Sequence, residues 1–427
     1  MSLVDEAQTL APTLTALRRE LHQDPEIGNH LPRTQQRVLE ALDGLPLEIT
    51  TGTSTTSVVA VLRGEHPGPA VILRGDMDAL PVAEENDLPY RSTNGAMHAC
   101  GHDLHTAGLV GAAHLLAAHR AELHGSVIFM FQPGEEGPGG AEPMLAEGLL
   151  EAAGVPVVGA YAIHVMPGPA GQFQYSIGPA LAGANEVYVT MHGAGGHGSQ
   201  PHLATDPVPA LLDFCTQLQV AVTRRFDVFD PAVVSVTQLS AGDAVNVIPP
   251  SASMGATIRT LSAESLERIQ QVTRQLADAV ATAHGCTAEH DFQVHYPVTL
   301  NEADQTRQAV GWLTELLGPD AIAERQTPIM GSEDFSFVAN EVPGTFLFLG
   351  ASPEGVDPET AAYNHSPLVL FDDAVLPRQS AALAHLALQR LGADGVSPTP
   401  GAAPTTGVNT PGAAPTTAGD ADRIEEN

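Results

Sequence analysis

The sequence predicts an α/β fold into which a second, β-α-β-β-α-β unit is inserted. Three observations carry that expectation. Short apolar runs repeatedly end in loops bearing carboxylates or histidines. An Ala- and Leu-rich helical stretch separates the first two of those runs. From about Ala182 the texture changes to alternating strands and long amphipathic stretches. At 427 residues the chain exceeds one typical core, which suggests two domains.

Taken in order, residues 10–43 read as helical with a break at Asp24-Pro25. "AVILRGDMDALP" (70–81) gives a buried strand, Ala70 to Leu73, that runs into an acidic loop. "DLHTAGLVGAAHLLAAHRAEL" (103–123) has apolar residues at three- and four-residue spacing and good helix formers. "SVIFMFQPGEEG" (126–137) is a second strand, closed by Pro-Gly and two glutamates, and "VVGAYAIHVMPGP" (157–169) is a third, ending on His164. Open α/β sheets bind ligands outside such carboxyl-terminal strand ends.

Beyond Ala182, "ANEVYVTMHG" alternates as a half-buried strand and 204–225 is helical. "PAVVSVTQLSAG" and "SASMGATIRTL" read as two strands joined by a turn, 262–284 as a helix, and "TAEHDFQVHYP" as a strand. That order is the ferredoxin-like pattern. Residues 303–317 and 374–391 return to helices around the strand "GTFLFLG" (344–350), so the unit reads as an insertion. The expected division is 1–181 with 295–392 as one domain and 182–294 as the other. The tail, 393–427, is rich in Pro, Thr, Gly and Ala, repeats "TPGAAPTT", cannot bury apolar surface, and is expected to be disordered.

Composition removes several function classes. All 18 basic residues are Arg, so no lysine is present for Schiff-base, pyridoxal-phosphate or P-loop chemistry. A formal charge of -32 argues against nucleic acid or an anionic membrane as partner. No apolar run approaches a membrane span of roughly 20 residues. The opening "MSLVDEAQTLAPTL" is acidic where a signal peptide is basic, which makes the cytoplasm the expected location. Cys100, Cys215 and Cys286 lie far apart and are odd in number, which disfavours a disulfide framework and a four-cysteine zinc site.

Polar clusters sit at the strand ends or helix starts: Asp76 and Asp78; Cys100 and His102; Glu135 and Glu136; and His164. His365, in "YNHSP", is a further candidate. Thiolate, imidazole and carboxylate together are a ligand set for zinc, with manganese or cobalt possible. Each cluster alone is ordinary, since buried cysteines behave as small hydrophobes and glutamates in Gly-rich loops are solvated. Their convergence on one sheet edge is what points to a site. Cys100 precedes a helix whose positive end favours thiolate, and that serves a cysteine nucleophile as well as a metal ligand. The nucleophile reading leaves Glu135-Glu136 without a use. Beside a metal, one glutamate can ligate while its neighbour stays free as general base.

The motifs "ELHQDPEIG", "LRGDMDALPV", "MHACGHDLHTA", "FQPGEEGPGGA", "AIHV", "GGHGSQPH", "AVNVIPPSASMGATIRT", "MGSEDFS" and "YNHSP" run in this order over roughly residues 15–391. As an ordered set they resemble the metallopeptidase-type amidohydrolases: aminoacylases, hippurate hydrolase and plant auxin–amino-acid hydrolases. Glutamate carboxypeptidase and succinyl-diaminopimelate desuccinylase are similar more distantly. The resemblance implies a mixed-sheet α/β catalytic domain of zinc-peptidase type with an inserted ferredoxin-like lid and dimerisation domain. It also implies two divalent ions per subunit, zinc or manganese with cobalt or nickel possible. Cys100 would stand where distant relatives use a bridging aspartate, with His102, Glu136, His164 and His365 as the other ligands. Asp78 matches an aspartate that orients a ligand, and Asp76 replaces a histidine whose imidazole His102 would supply. Glu135 matches the general base. His197 matches an oxyanion-stabilising histidine that in relatives often reaches across a dimer. Asn246 and Arg259 match residues that bind the substrate carboxylate, and Gly331 a backbone contact near the substrate.

The implied activity is hydrolysis of the amide of a small-molecule N-acyl-amino acid, or of a similar amino-acid conjugate with a free carboxylate, by metal-activated water with Glu135 as general base. A dipeptidase, aminopeptidase or carboxypeptidase on the same scaffold is the rival. The implied assembly is a homodimer or higher oligomer through the insertion. His98 and His105 are left as supporting residues at best. The stretch "NHLPRTQ" after "PEIG" departs from the family pattern.

Overall fold

Helix α1 (Leu3–Gln23) begins at a capping box, in which the Ser2 hydroxyl accepts from the Asp5 N–H and Asp5 accepts from the Ser2 N–H. It stops before Asp24-Pro25, and α2 (Pro32–Ala41) restarts with proline in its first turn. Strands β1 (Leu47–Thr51), β2 (Val58–Arg63) and β3 (His66–Asp76) lead to α3 (His102–Ala118) and β4 (His124–Gln132). Next come α4 (Ala141–Ala146), β5 (Val157–Met166), β6 (Phe173–Tyr175) and β7 (Gly178–Leu181). The middle of the chain holds β8 (Gly183–His192), β9 (Gly196–His197), α5 (Pro207–Arg225), β10 (Val233–Ala241), β11 (Val247–Ile248), β12 (Ser251–Thr260), α6 (Ala263–Ala283) and β13 (Thr287–Tyr296). It ends with β14 (Thr299–Asn301), α7 (Ala303–Leu317), β15 (Ile322–Glu324), α8 (Phe335–Glu341), β16 (Gly344–Gly350) and α9 (Leu376–Arg390). This computed structural model describes residues 2–392, and the tail expected to be disordered lies outside the described residues.

One eight-stranded sheet runs in the order β1-β2-β4-β3-β5-β16-β6-β15. Its centre, β4-β3-β5-β16, is parallel, whereas β1–β2, β2–β4 and β16–β6 are antiparallel. Central strands buried on both faces explain the continuous apolar runs of the sequence. Val71 and Leu73 of β3 pack with Leu14, Leu109 and Leu383 from α1, α3 and α9. Ala70 and Ile72 point the other way, to Met144 of α4 and Phe335 and Val338 of α8. Helix α3 is apolar all round because the sheet, α1 and α9 enclose it. Gly111 permits that closeness, since a Cβ there would lie 2.2 Å from Ser380 Oγ and 2.7 Å from Leu14 Cδ1.

The second sheet, β10-β12-β8-β13, is antiparallel throughout, and its chain order with α5 and α6 is β-α-β-β-α-β. Val187, Val189, Met191 and Ile258 alternate inward onto Phe214 and Ile269 of the two helices. Glu186, Tyr188 and Arg259 alternate to the opposite, polar face. The connection from β10 to β12 is more than the expected turn, because β11 forms within it and pairs with β9. Among the described residues no helix is long and apolar enough to cross a membrane.

A buried polar network ties α1 to α3. Arg18 Nε lies 2.8 Å from Asp103 Oδ2, and His22 Nδ1 lies 2.7 Å from the same oxygen. His22 Nε2 reaches Glu84 at 3.2 Å. Burial opposes the imidazolium, but Asp103, with Glu84 behind it, outweighs burial and raises the His22 pKa above its usual value. A raised folded-state pKa contributes stability that is complete below about pH 6.5 and is lost as pH rises through the folded value. Comparison of urea unfolding midpoints for wild type and His22→Gln across that window is expected to show the wild-type advantage shrinking as pH rises. A difference that stays constant with pH would exclude a charged His22 in the folded state.

Candidate metal centre

Parallel pairing brings the carboxyl ends of β3, β4 and β5 to one edge, with Asp76 in register with Gln132. The loops that leave this edge carry Asp78 and Glu135-Glu136, while His164 lies near the end of β5 itself. Gly101 occupies the cap of α3 with φ 84°, and a Cβ there would meet Val165 Cγ2 at 2.3 Å. The left-handed glycine lets Cys100 and His102, on either side of it, face the same space. His365 arrives from the loop after β16, held by its N–H donating to Ala99 O at 2.9 Å. Neighbouring Asn364 donates to Val165 O at 3.2 Å and so fixes the same loop against β5.

Two donor sets result, and Cys100 belongs to both. Cys100, His102 and His164 have ligand atoms within 4.8 Å of one another, as do Cys100, Glu136 and His365. Cys100 Sγ lies 3.4 Å from His164 Nε2, and His365 Nε2 lies 3.1 Å from Glu136 Oε1. The His164 Nδ1–H donates to Val165 O at 2.8 Å, leaving Nε2 free toward the site. His102 Nε2 is buried without a hydrogen-bond partner among the described residues. Buried polar atoms of this kind are rare unless a ligand satisfies them, and thiolate, imidazole and carboxylate suit a divalent ion. The residues therefore fit two metal ions.

Asp78 holds the frame. Its Oδ1 accepts the Glu135 N–H and its Oδ2 the Glu136 N–H, both at 3.0 Å, and Oδ1 stands 3.5 Å from His102 Nδ1. Asp76 pairs with Arg74, accepts from His105 Nδ1 at 2.5 Å, and has Oδ2 3.7 Å from His102 Nε2. His105 Nε2 in turn accepts the Val165 N–H at 2.7 Å, so a neutral His105 bridges β3 to β5 beside His164. His98 is buried with no hydrogen-bond partner among the described residues, and burial pushes its pKa down to about 3.

Burial also raises the Glu135 carboxyl well above its usual value, helped by Glu333 and Glu136. Glu135 Oε2 is 4.0 Å from His102 Nε2, and its carboxylate accepts no hydrogen bond from the described residues. The expectation that the end of α3 favours a Cys100 thiolate is corrected: burial first, then Glu136, push the thiol up despite His102 and His365. A thiolate at this position needs a cation against it, which a metal ion would provide.

A cavity of about 750 Å³ opens on this cluster and is lined by Cys100, Glu135, Glu136, His164 and His365 on one side and by Arg259, Glu186 and His295 on the other. His197 and Asn246 are brought to each other but not to this cavity. His197 pairs with Val247, and the Gly198 N–H donates to Asn246 O at 2.8 Å. They lie beyond His192, at the opposite end of the second sheet from Ala184 and its partner Arg259, a strand length of roughly 26 Å. Gly331 sits where the two sheets join, its carbonyl accepting the Ala182 N–H at 2.9 Å.

Sequence reasoning missed two supports. Arg74, Glu333 and Asp334 form a buried group in which Arg74 Nη2 is 2.7 Å from Glu333 Oε1, and Asp334 Oδ2 accepts the Gly140 and Ala141 N–H groups at 2.8 and 3.0 Å. Tyr296, at the end of β13, donates to Glu135 O at 3.1 Å and so touches the loop of the glutamate pair. "MGSEDFS" contains Glu333 and Asp334 of the first, but only its glycine drew a role.

His365 is the one non-glycine residue with positive φ among the described residues, at 73°. Strain of about 1–3 kcal/mol at such a position persists when function requires it. His365→Gly is expected to lower bound metal, measured by elemental analysis, while the metal-free variant melts no lower than metal-free wild type. A lower melting temperature without metal would show that the loop is built for packing.

Comparison with known proteins places these features in a wider context. The sequence model described as peptidase family M20/M25/M40 matches residues 72–389. "Thermostable carboxypeptidase 2" of Saccharolobus solfataricus is 35% identical over 393 residues, covering 90% of this chain and 97% of that protein. "IAA-amino acid hydrolase ILR1-like 2" of Arabidopsis thaliana is 36% identical over 386 residues, covering 88% and 85%. The crystal structure of a Bacillus subtilis protein, described as a dinuclear metal binding peptidase from the M20 family, is similar with a TM-score of 0.77 at 31% identity, covering 90% of this chain and 99% of that one.

Proposed function

We propose that this chain, which belongs to peptidase family M20/M25/M40 and is a metal-dependent amidohydrolase, cleaves the amide of N-acyl-amino acids or of similar amino-acid conjugates with a free carboxylate. The observation that carries the reading is the division of labour between adjacent glutamates. Glu136 faces His365 and Cys100, whereas the Glu135 carboxylate stays free of hydrogen bonds in the same cavity. Cys100, His102, Glu136, His164 and His365 are assigned to two divalent ions, zinc or manganese with cobalt or nickel as alternatives. When bound, such ions polarise the substrate carbonyl and acidify water.

The chain's own residues do the rest. Glu135 takes the proton of the attacking water and returns it to the leaving amine nitrogen. Its raised pKa suits a carboxyl that must hold that proton between the two steps. Asp78 keeps the Glu135-Glu136 backbone against the site. Arg259 has no acidic partner within 4.0 Å among the described residues and is assigned, with its planar fork, to the substrate carboxylate, and Gly331 is assigned a backbone contact near the substrate.

His197 and Asn246 belong to the same reading only through a second copy of the chain, because the length of β8 separates them from the cavity of their own subunit. A homodimer through residues 182–294 is therefore part of the proposal, as are a division into domains at 182 and 294 and a cytosolic setting. Mixing inactive His197→Ala with inactive Glu135→Gln protein under subunit exchange is expected to restore activity, since one site in each mixed dimer then has both groups. No recovery in a mixture shown to contain mixed dimers would remove His197 from the partner's site.

The carboxypeptidase relative favours a second reading, peptide cleavage on the same centre. Assay of N-acetyl- and N-benzoyl-amino acids beside dipeptides separates the two, with the acyl compounds expected to turn over faster. In the same assay Glu135→Gln is expected to keep its metal content and lose turnover by about 100-fold or more. Retained activity would remove Glu135 as the base.

A further inference from the structure

The polar face of the second sheet shows the cavity more charge than a single substrate carboxylate uses. Glu186 on β8 stands opposite Thr257 on β12 and Gln293 on β13, and Arg259 lies one diagonal step away on the same face. Both line the cavity, together with His295. The partners of Glu186 are the Tyr188 hydroxyl, which donates at 2.6 Å, and His295 Nε2 at 3.5 Å. The Tyr188 hydrogen bond lowers the Glu186 pKa, so the carboxylate stays ionised. No arginine nitrogen among the described residues lies within 4.0 Å of it, and the chain has no lysine to offer. Glu186 is thus a charged acceptor facing the cavity with no arginine in direct ion-pair contact among the described residues, Arg259 acting on it only from farther off.

We propose that Glu186 forms a cation-accepting subsite, and that the substrates this protein prefers are N-acyl-amino acids whose side chain carries a positive charge. The inference rests on the hydrolysis of N-acyl-amino acids proposed above. Diagonal cross-strand neighbours stand about 7–8 Å apart, a span that an extended lysine- or ornithine-type side chain covers from its α-carboxylate. With the carboxylate on Arg259, the side-chain ammonium reaches Glu186, and apolar Val294 and Phe337 of the same cavity flank the hydrocarbon stem. The alternative role for Glu186 is to steady Arg259 electrostatically, which would serve every substrate alike.

The test compares kcat/KM for N-acetyl-lysine and its neutral, similarly shaped analogue N-acetyl-norleucine, using metal-loaded wild type and Glu186→Gln. Wild type is expected to favour the lysine derivative by about tenfold or more, the scale of one charge-assisted contact. Glu186→Gln is expected to bring that ratio toward one. A wild-type preference for norleucine overturns the subsite and leaves the amidohydrolase reading standing. A ratio that Glu186→Gln preserves while both values fall overturns it in favour of the Arg259-steadying role. Turnover of dipeptides with none of the acyl-amino acids overturns the amidohydrolase reading and the subsite with it.

Discussion

Asp78 joins two loops that are 57 residues apart in sequence, and the rest of the site depends on that joint. Its two oxygens take the N–H groups of Glu135 and Glu136, which fixes the backbone of both glutamates before either side chain acts. The same carboxylate stands against His102 Nδ1, so His102 presents Nε2 toward Glu136 at 3.8 Å. Burial raises the Asp78 pKa, against which His102 and the glutamate N–H groups act. A buried carboxylate held this way is costly alone and stabilising only when all its acceptor positions are used. The pair of glutamates can differ in role because their backbone is held from one side while their side chains diverge.

Arg74 solves the matching charge problem on the same edge. It meets Asp76, Glu333 and Asp334 in the interior, and its guanidinium stays charged as those carboxylates surround it. Burial nevertheless pushes Glu333 up to about 8 even with Arg74 against it. One cation thus serves more carboxylates than it can neutralise, and Asp334 relies on the N–H groups at the start of α4 for the remainder. The surplus of negative charge around Glu135 is what raises its pKa beyond the effect of burial.

Much of this was legible in the sequence because it follows from apolar patterning. β3, β4, β5 and β16 are buried on both faces and read as apolar runs, and the polar residues at or just after the ends of β3, β4 and β5 mark the site edge. The edge strand β1, "LEITT", carries no such signal, being mostly exposed. Cys100, His102, Glu136, His164 and His365 were found from motifs, and they do meet in space. The supports were not found, because a hydrogen bond such as His22 to Asp103 links residues 81 apart and leaves no periodic trace. Tyr296 escaped for the same reason, its aromatic ring reading only as a strand residue until the hydroxyl is seen at Glu135 O.

The second sheet carries polar groups at both ends of one strand. Along β8 the inward residues Val187, Val189 and Met191 are spent on the helices, so the outward ones are free of packing duties. At the Ala184 end those outward positions face the cavity of their own subunit, through Glu186 and, across the ladder, Arg259. At the His192 end the chain turns into β9 and presents His197 beside Asn246, beyond reach of that cavity. A rigid antiparallel sheet fixes the distance between these ends. The outward residues at one end can therefore change without disturbing either the core beneath them or the groups at the other.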